Sequence, residues 1–258
     1  MTRVCALYNI YNEDYWLPYS VASIYAGVDA IAFIVSDSAW YGPSSDQHHT
    51  LRRIKALPDP EKKISITRGN WSSEPEQRNF SLAVATTLGA DYSLIIDADE
   101  LYHLTELRTM IAFAEQHPEV DCWHINWVTY WKSVRHRIDP VEPYKPVVLI
   151  KLGTVGYLET RNPVGTHHEL LPPSIAICHH LSYALSDERL ALKHISHSGH
   201  SQTAHQKWLT DKWLAWDRDP TVTDLHPVDP PAFKRAVPIP KELIPTVIWE
   251  LYEGEGLP

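Results

Sequence analysis

The chain has 258 residues, enough for one large α/β domain or two small ones with a sizeable core. A formal net charge of −9 argues against nucleic acid as the main partner, because phosphate backbones are gripped by excess Lys and Arg, so an anionic ligand would need a local device such as a metal ion. Ten tryptophans and fifteen histidines are the unusual features: rings suit sugars and His suits metals or proton transfer, and composition does not choose between them.

At the N-terminus, "MTRVCALYNIYNEDYW" breaks into Asn, Glu and Asp before any signal-like apolar stretch forms. The longest mainly apolar run, near "AIAFIV", is far too short to span a bilayer, so a soluble, cytoplasmic protein without an integral membrane segment is expected. Cys5, Cys122 and Cys178 are odd in number, far apart and without a C-x-x-C pair, and read as buried thiols in a reducing compartment. "RVCALYNI" predicts a buried strand, "NEDYWLPYSVASIYAG" a helix with Leu17, Val21 and Ile24 on one face, and "VDAIAFIVSDS" a second strand. A helix at "SSDQHHTLRRIKAL", a short strand at "KKISIT" and a helix at "SSEPEQRNFSLAVATTLGA" follow, the last with Ser73 and Glu76 at capping-box spacing. "DYSLII" is the fourth strand. Alternation with short connections predicts a mostly parallel sheet covered by helices on both faces. After a helix at "ELRTMIAFAEQH", "VDCWHINWVTYWKSV", "KPVVLIKL" and "SIAICHHLSY" read as strands of a mixed sheet. "SQTAHQKWLTDKWLAWDRDP" predicts a helix with Trp208, Leu209, Trp213 and Trp216 along one side, more suited to packing than to binding, and a proline-rich arm runs over the surface from Pro220.

The fourth strand runs into Asp97, Asp99 and Glu100. Three carboxylates that close need a cation, a basic neighbour or a helix N-terminus. Asn12/Glu13, Asp37 and Asp97/Asp99 all fall at strand C-termini, where open parallel sheets bind ligands. If the backbone stays extended past Ile96, Asp97 and Asp99 share a face and can hold a hard divalent cation that also grips phosphate. Otherwise Asp99 and Glu100 merely cap the following helix. "HISHSGHS" sets His194, His197 and His200 at three-residue intervals, a spacing that raises a metal hypothesis beside the ordinary one of hydrogen-bonded histidines. Trp123, Trp127, Tyr130 and Trp131 either stack on a sugar or fill the core, and core is expected for at least half of them.

The ordered set "YNIYNEDYWLPYSVASIYAGVDAIAFIVSDS", "QRNFSLAVATTLGADYSLIIDADE", "THHELL" and "ISHSGHS" resembles family 2 type glycosyltransferases with the GT-A fold, over most of residues 1–218. The resemblance implies a GT-A-like Rossmann-type sandwich: one catalytic domain over 1–218, with a nucleotide-sugar-binding half at 1–103 and a mixed-sheet acceptor half at 104–218, then the arm at 219–258. It places Asn12, Glu13 and Asp37 around the donor's base and ribose, matches Arg78 and Asn79 to a donor-side Arg-Asn, gives Asp97 to ribose or sugar hydroxyls, and gives Asp99 to Mn²⁺ or Mg²⁺ on the diphosphate. Asp97 is a second candidate ligand. His197 fits a further metal ligand best, ahead of His200 and His194. "PVGTHHELL" puts His168 and Glu169 near the reaction centre, with Glu169 as the base, a partly buried carboxylate whose pKa is raised toward neutrality. Arg78 could fork onto a phosphate, or be a helix-surface arginine paired with a nearby Glu. No clean E-D-x-x-x-R-x-x-W block of the processive synthases is present, which speaks against a membrane-embedded polymerising role.

The function implied is transfer of a single sugar from a nucleotide-sugar donor, UDP-linked by expectation, to a hydroxyl acceptor, a saccharide among the candidates. Three rivals stand beside it. A nucleotidyltransferase would open with a glycine-rich, basic loop, which "YNIYNED" lacks. A metallohydrolase could use His167, His168, His179, His180, His197 and His200, without any H-E-x-x-H spacing to support it. A sugar- or nucleotide-binding protein with the same fold and no turnover is not separable by sequence.

Overall fold

The first strands are the most apolar stretches of the chain, and they lie side by side. In the computed structural model, β1 (Val4–Ile10) and β2 (Ala30–Ser36) are buried almost throughout and pair in parallel, Leu7 opposite Ala32. Residues 2–40, 44, 46–153, 155–159, 161–165, 167–197, 206–254 and 257 are described, without the side chains of 192 and 194–197. The chain divides into two compact units that interleave: Met1–Asn126 with Lys145–Cys178, and Trp127–Tyr144 with His179–Pro258. The divisions therefore fall elsewhere than the 103/104 and 218/219 boundaries read from the sequence.

In the first unit, β3 (Ile64–Gly69) pairs parallel outside β2, with the alternating burial of an edge strand. β4 (Tyr92–Ile95) pairs parallel on the other side of β1. Beyond β4 come β9 (Val147–Lys151), antiparallel, then β6 (Cys122–His124) and the edge strand β12 (His168–Leu170). Among the described residues the sheet order is β12-β6-β9-β4-β1-β2-β3, a mostly parallel α/β sheet as expected.

Helix α1 (Leu17–Ile24) begins five residues later than the sequence suggests, with Pro18 in its first turn, where a missing N–H costs nothing. α2 (His48–Lys55) and α3 (Glu74–Thr87) follow. Ser73 caps α3 by accepting the Glu76 N–H, but the Glu76 carboxylate returns to the Ser72 N–H at 2.7 Å, a capping box shifted by one residue. α3 packs Leu82 and Ala85 onto Leu7, Ile34 and Ile95. Burying a leucine in this way contributes roughly 1.5–3 kcal/mol. α4 (Leu104–Glu115) buries Leu107, Met110 and Ala114 at helical spacing. A two-stranded hairpin of β10 (Gly156–Tyr157) and β11 (Pro163–Val164) completes the unit's strands described here, apart from the short β5 (Glu100–Leu101).

In the second unit, β7 (Trp127–Trp131) and β8 (Ser133–Asp139) turn at Lys132, whose φ of 62° is left-handed. β13 (Cys178–Tyr183) and β14 (Arg235–Pro238) flank them in the order β14-β8-β7-β13. The run read as one strand over 120–134 is thus broken into β6, β7 and the start of β8. Trp123, Trp127, Tyr130 and Trp131 are all buried and belong to the core rather than to a sugar platform. Trp208, Trp213 and Trp216 are buried too, Trp213 edge-on to Trp131 at 4.9 Å, as the packing expectation held. The proline-rich segment is no surface arm: it supplies β14 and buries Leu225, Phe233, Ile244 and Ile248. All three cysteines are free and buried. Among the described residues no helix is long and apolar enough to cross a membrane.

Candidate active site

From β1 the chain adds β2 and β3 on one side and then crosses to add β4 on the other, so the strand order reverses between β1 and β4. In parallel sheets a crevice opens there at the carboxyl ends of the strands. Asn12 and Glu13 follow β1, Asp37 follows β2 and Asp97 follows β4, three adjacent parallel strands.

Asn12, Asp37 and Asp97 are each held by a specific partner. Asn12, at φ 54°, exchanges two hydrogen bonds with buried Gln47: its N–H donates to Gln47 Oε1 at 3.0 Å and its Oδ1 accepts from Gln47 Nε2 at 2.8 Å. Buried Asp14, which the sequence did not single out, pairs with His49 of α2. Asp37 pairs with Arg68, near the end of β3, and donates its N–H to the Gly69 carbonyl at 2.8 Å. Glu13 is half-buried beside them.

The backbone does not stay extended past Ile96. It turns over Ala98–Asp99, closed by the Glu100 N–H donating to the Asp97 carbonyl at 3.1 Å, so the two aspartates do not share a strand face. Nor do Asp99 and Glu100 cap α4, whose N-cap is His103. The counter-charge is basic. Arg161, in the loop between β10 and β11, binds Asp97 with Nη1 and reaches Glu100 Oε1 with Nη2 at 2.6 Å. Glu100 also accepts the Asp97 N–H at 3.0 Å. Ser20 of α1 donates to the Glu100 carbonyl at 2.7 Å and is bonded to Tyr8 at 2.8 Å, tying the acidic turn to α1 and β1.

Arg78 of α3 is not a surface arginine. It is 4% exposed, bonds Glu74 through Nε at 2.6 Å, and has Nη2 3.9 Å from Asp97 Oδ1. Burial opposes its charge, but Asp97 foremost and Glu74 outweigh that and raise its pKa. Asn79 exchanges two hydrogen bonds with the backbone of Tyr157, at 2.8 and 2.7 Å, which fastens α3 to the β10–β11 hairpin. Tyr157 is 3% exposed, and burial pushes its hydroxyl up to about 12. Among the described residues, neither Tyr157 Oη nor Arg78 Nη1 has a hydrogen-bond partner.

A divalent ion of the kind the resemblance implies would draw on Asp97, Asp99 and His197. Asp97 does not fit as a ligand, since both its oxygens face guanidinium groups. Asp99 is buried and carries the metal expectation alone, because the side chains of His197 and His194, and His200 entirely, lie outside the described residues. Among the described residues no three His, Cys, Asp or Glu side chains come together as a metal cluster.

Glu169 departs from its expected setting. It lies on edge strand β12, three strand spacings or about 14 Å across the sheet from β4. Its side chain is 54% exposed and bonds His167 at 3.1 Å, so it is not the partly buried carboxylate expected. The bond raises the pKa of His167. His168 faces His124 at 3.0 Å, and burial with that second imidazole lowers its pKa.

Arg161 and Tyr157 are the site residues sequence reading missed. Arg161 is the one arginine between Arg137 and Arg189, and the demand of three close acids for a basic partner was the available signal.

No family model matches the chain, and no curated protein matches it. Solved structures do. The crystal structure of S. aureus TarS 1-349 is 14% identical with a TM-score of 0.41, over 85% of this chain and 73% of that one. The S. aureus TarS structure is 12% identical at 0.41, over 83% and 43%. The mannosyltransferase PcManGT from Pyrobaculum calidifontis, in complex with GDP-Man and Mn²⁺, is 20% identical at 0.36, over 48% and 35%. The chain thus spans less than half the length of the last two.

Proposed function

We propose that the protein is a glycosyltransferase that moves one sugar from a nucleotide-sugar donor, UDP-linked, to a hydroxyl acceptor. The observation that carries this reading is the placement of Asn12/Glu13, Asp37 and the Asp97–Glu100 turn on adjacent strand ends at the reversal of strand order. Asn12 and Asp37, each anchored by a neighbour, face the donor's base and ribose with fixed polar atoms. Asp97 accepts hydrogen bonds from donor hydroxyls while Arg161 and Arg78, on either side of it, hold it in place. Glu169 takes the acceptor proton as the acceptor oxygen bonds the anomeric carbon and the sugar–diphosphate bond breaks. Its exposure leaves it open to an incoming acceptor. Bound at Asp99, Mn²⁺ or Mg²⁺ would stabilise the charge of the leaving diphosphate.

Calorimetric titration with UDP and with GDP, with and without Mn²⁺, tests the reading. Saturable UDP binding strengthened by Mn²⁺ is expected. Indifference to both nucleotides would overturn it and favour a hydrolase.

A further inference from the structure

Arg78, which lies beside Asp97, and Tyr157, whose ring Arg78 approaches, each hold a buried polar atom without a partner among the described residues: Arg78 Nη1 and Tyr157 Oη. Such atoms are rare in folded proteins and call for an explanation. They are brought together by the fold, since Asn79, next to Arg78, is clamped to the Tyr157 backbone, and the Arg78 guanidinium carbon lies 5.7 Å from the centre of the Tyr157 ring. Arg78 Nη1 can only donate; a tyrosine hydroxyl can donate as well. What is missing is therefore an acceptor oxygen.

The charges around the gap select the kind of oxygen. Two guanidinium groups, Arg78 and Arg161, face three carboxylates, Glu74, Asp97 and Glu100, leaving one net negative charge among the residues named. An anionic oxygen would add repulsion in a site that water screens little, and it would have no proton to offer Asp97. A neutral hydroxyl meets every requirement: its lone pairs accept from Arg78 and Tyr157, and its own proton goes to Asp97.

We infer that Arg78, Tyr157 and Asp97 form a hydroxyl subsite for the transferred sugar, and that this sugar is a neutral one rather than one bearing a carboxylate. The inference rests on the glycosyltransferase reading above and adds the sugar class and Tyr157 as a specificity-determining residue. The Tyr157 ring stays packed in Tyr157→Phe, while the unpartnered hydroxyl is gone.

The test measures dissociation constants of the intact protein for UDP, GDP, UDP-glucose, UDP-N-acetylglucosamine, GDP-mannose and UDP-glucuronate, in the wild type and in Tyr157→Phe. At least one neutral donor is expected to bind 5-fold or more tighter than its free nucleotide, and UDP-glucuronate no tighter than UDP, on the order of one good hydrogen-bonded contact. In Tyr157→Phe that advantage should fall about 5- to 10-fold while free-nucleotide affinity stays unchanged, and the unliganded variant should melt at or above the wild-type temperature. Preference for UDP-glucuronate would overturn the inference. So would an equal loss for free nucleotide and nucleotide-sugar, which assigns the atoms to ribose or phosphate, or no change in either. Failure of the wild type to bind any nucleotide is a separate outcome that removes the glycosyltransferase reading and the subsite with it.

Discussion

Glu100 has no exposed surface, and its charge is met by Arg161 at 2.6 Å and by the Asp97 N–H at 3.0 Å. A buried carboxylate that loses its cation keeps its desolvation penalty without compensation, so removing one partner costs much more than the pair adds to stability. Arg161→Met should therefore lower the free energy of unfolding by about 3 kcal/mol. Urea denaturation measures this, and Arg161→Met combined with Glu100→Gln should recover much of the loss. A change under about 1 kcal/mol in the single variant would mean that water reaches Glu100. At this scale the sequence was informative about which residues carry charge at the strand ends and uninformative about who meets them. Asp97 and Asp37 were legible because a parallel strand end is a local pattern. Arg161 was not, because the fold alone brings it across more than sixty residues to Asp97. The exposure of Glu169 was equally hidden, since nothing local tells an edge strand from an inner one.

Helix α3 links several site residues: Arg78 and Asn79 are consecutive, one turned to Asp97 and the other to the β10 backbone. By bonding both the N–H and the carbonyl of Tyr157, Asn79 acts as a stretch of neighbouring strand would, and it sets where β10 stands against the helix. In Asn79→Ala both backbone groups lose their partner, at a cost of about 1–2 kcal/mol. Thermal denaturation should show the drop, and donor affinity should fall with it because Tyr157 is no longer fixed. Lost donor binding at unchanged stability would instead return Asn79 to direct donor contact, as the family resemblance implied. The helices and strands up to Ile95 were legible from periodicity and punctuation: mainly apolar runs for β1, β2 and β4, and Ser73 with Pro75 for the start of α3. Later strands blurred together because aromatic residues pack in the core whichever way the chain turns, and the turn at Lys132 depends on a left-handed residue that is not glycine.

The whole chain passes between its two units after Asn126, after Tyr144 and after Cys178. On the side of the first unit these three points meet. The Ile125 N–H donates to the Pro146 carbonyl at 3.0 Å, and the Cys178 N–H donates to the Asn126 carbonyl at 3.1 Å. Residues 127–144 can therefore be replaced by a short Gly/Ser linker without stretching the chain, and the chain can end at Cys178. All seven described strands of the larger sheet remain, in a unit of about 160 residues, large enough to hold its own core. The shortened chain should be soluble and monomeric by gel filtration, unfold cooperatively in urea, and bind the same nucleotide as the full chain. Cutting after Cys178 while keeping 127–144 should instead aggregate: β7 and β8 lose β13 and β14, which leaves Trp127, Tyr130, Trp131 and Val134 on strands with open edges. If the linker variant is soluble but binds no nucleotide that the intact protein binds, residues of the second unit are required for donor recognition, and the donor site assigned to the first unit is incomplete.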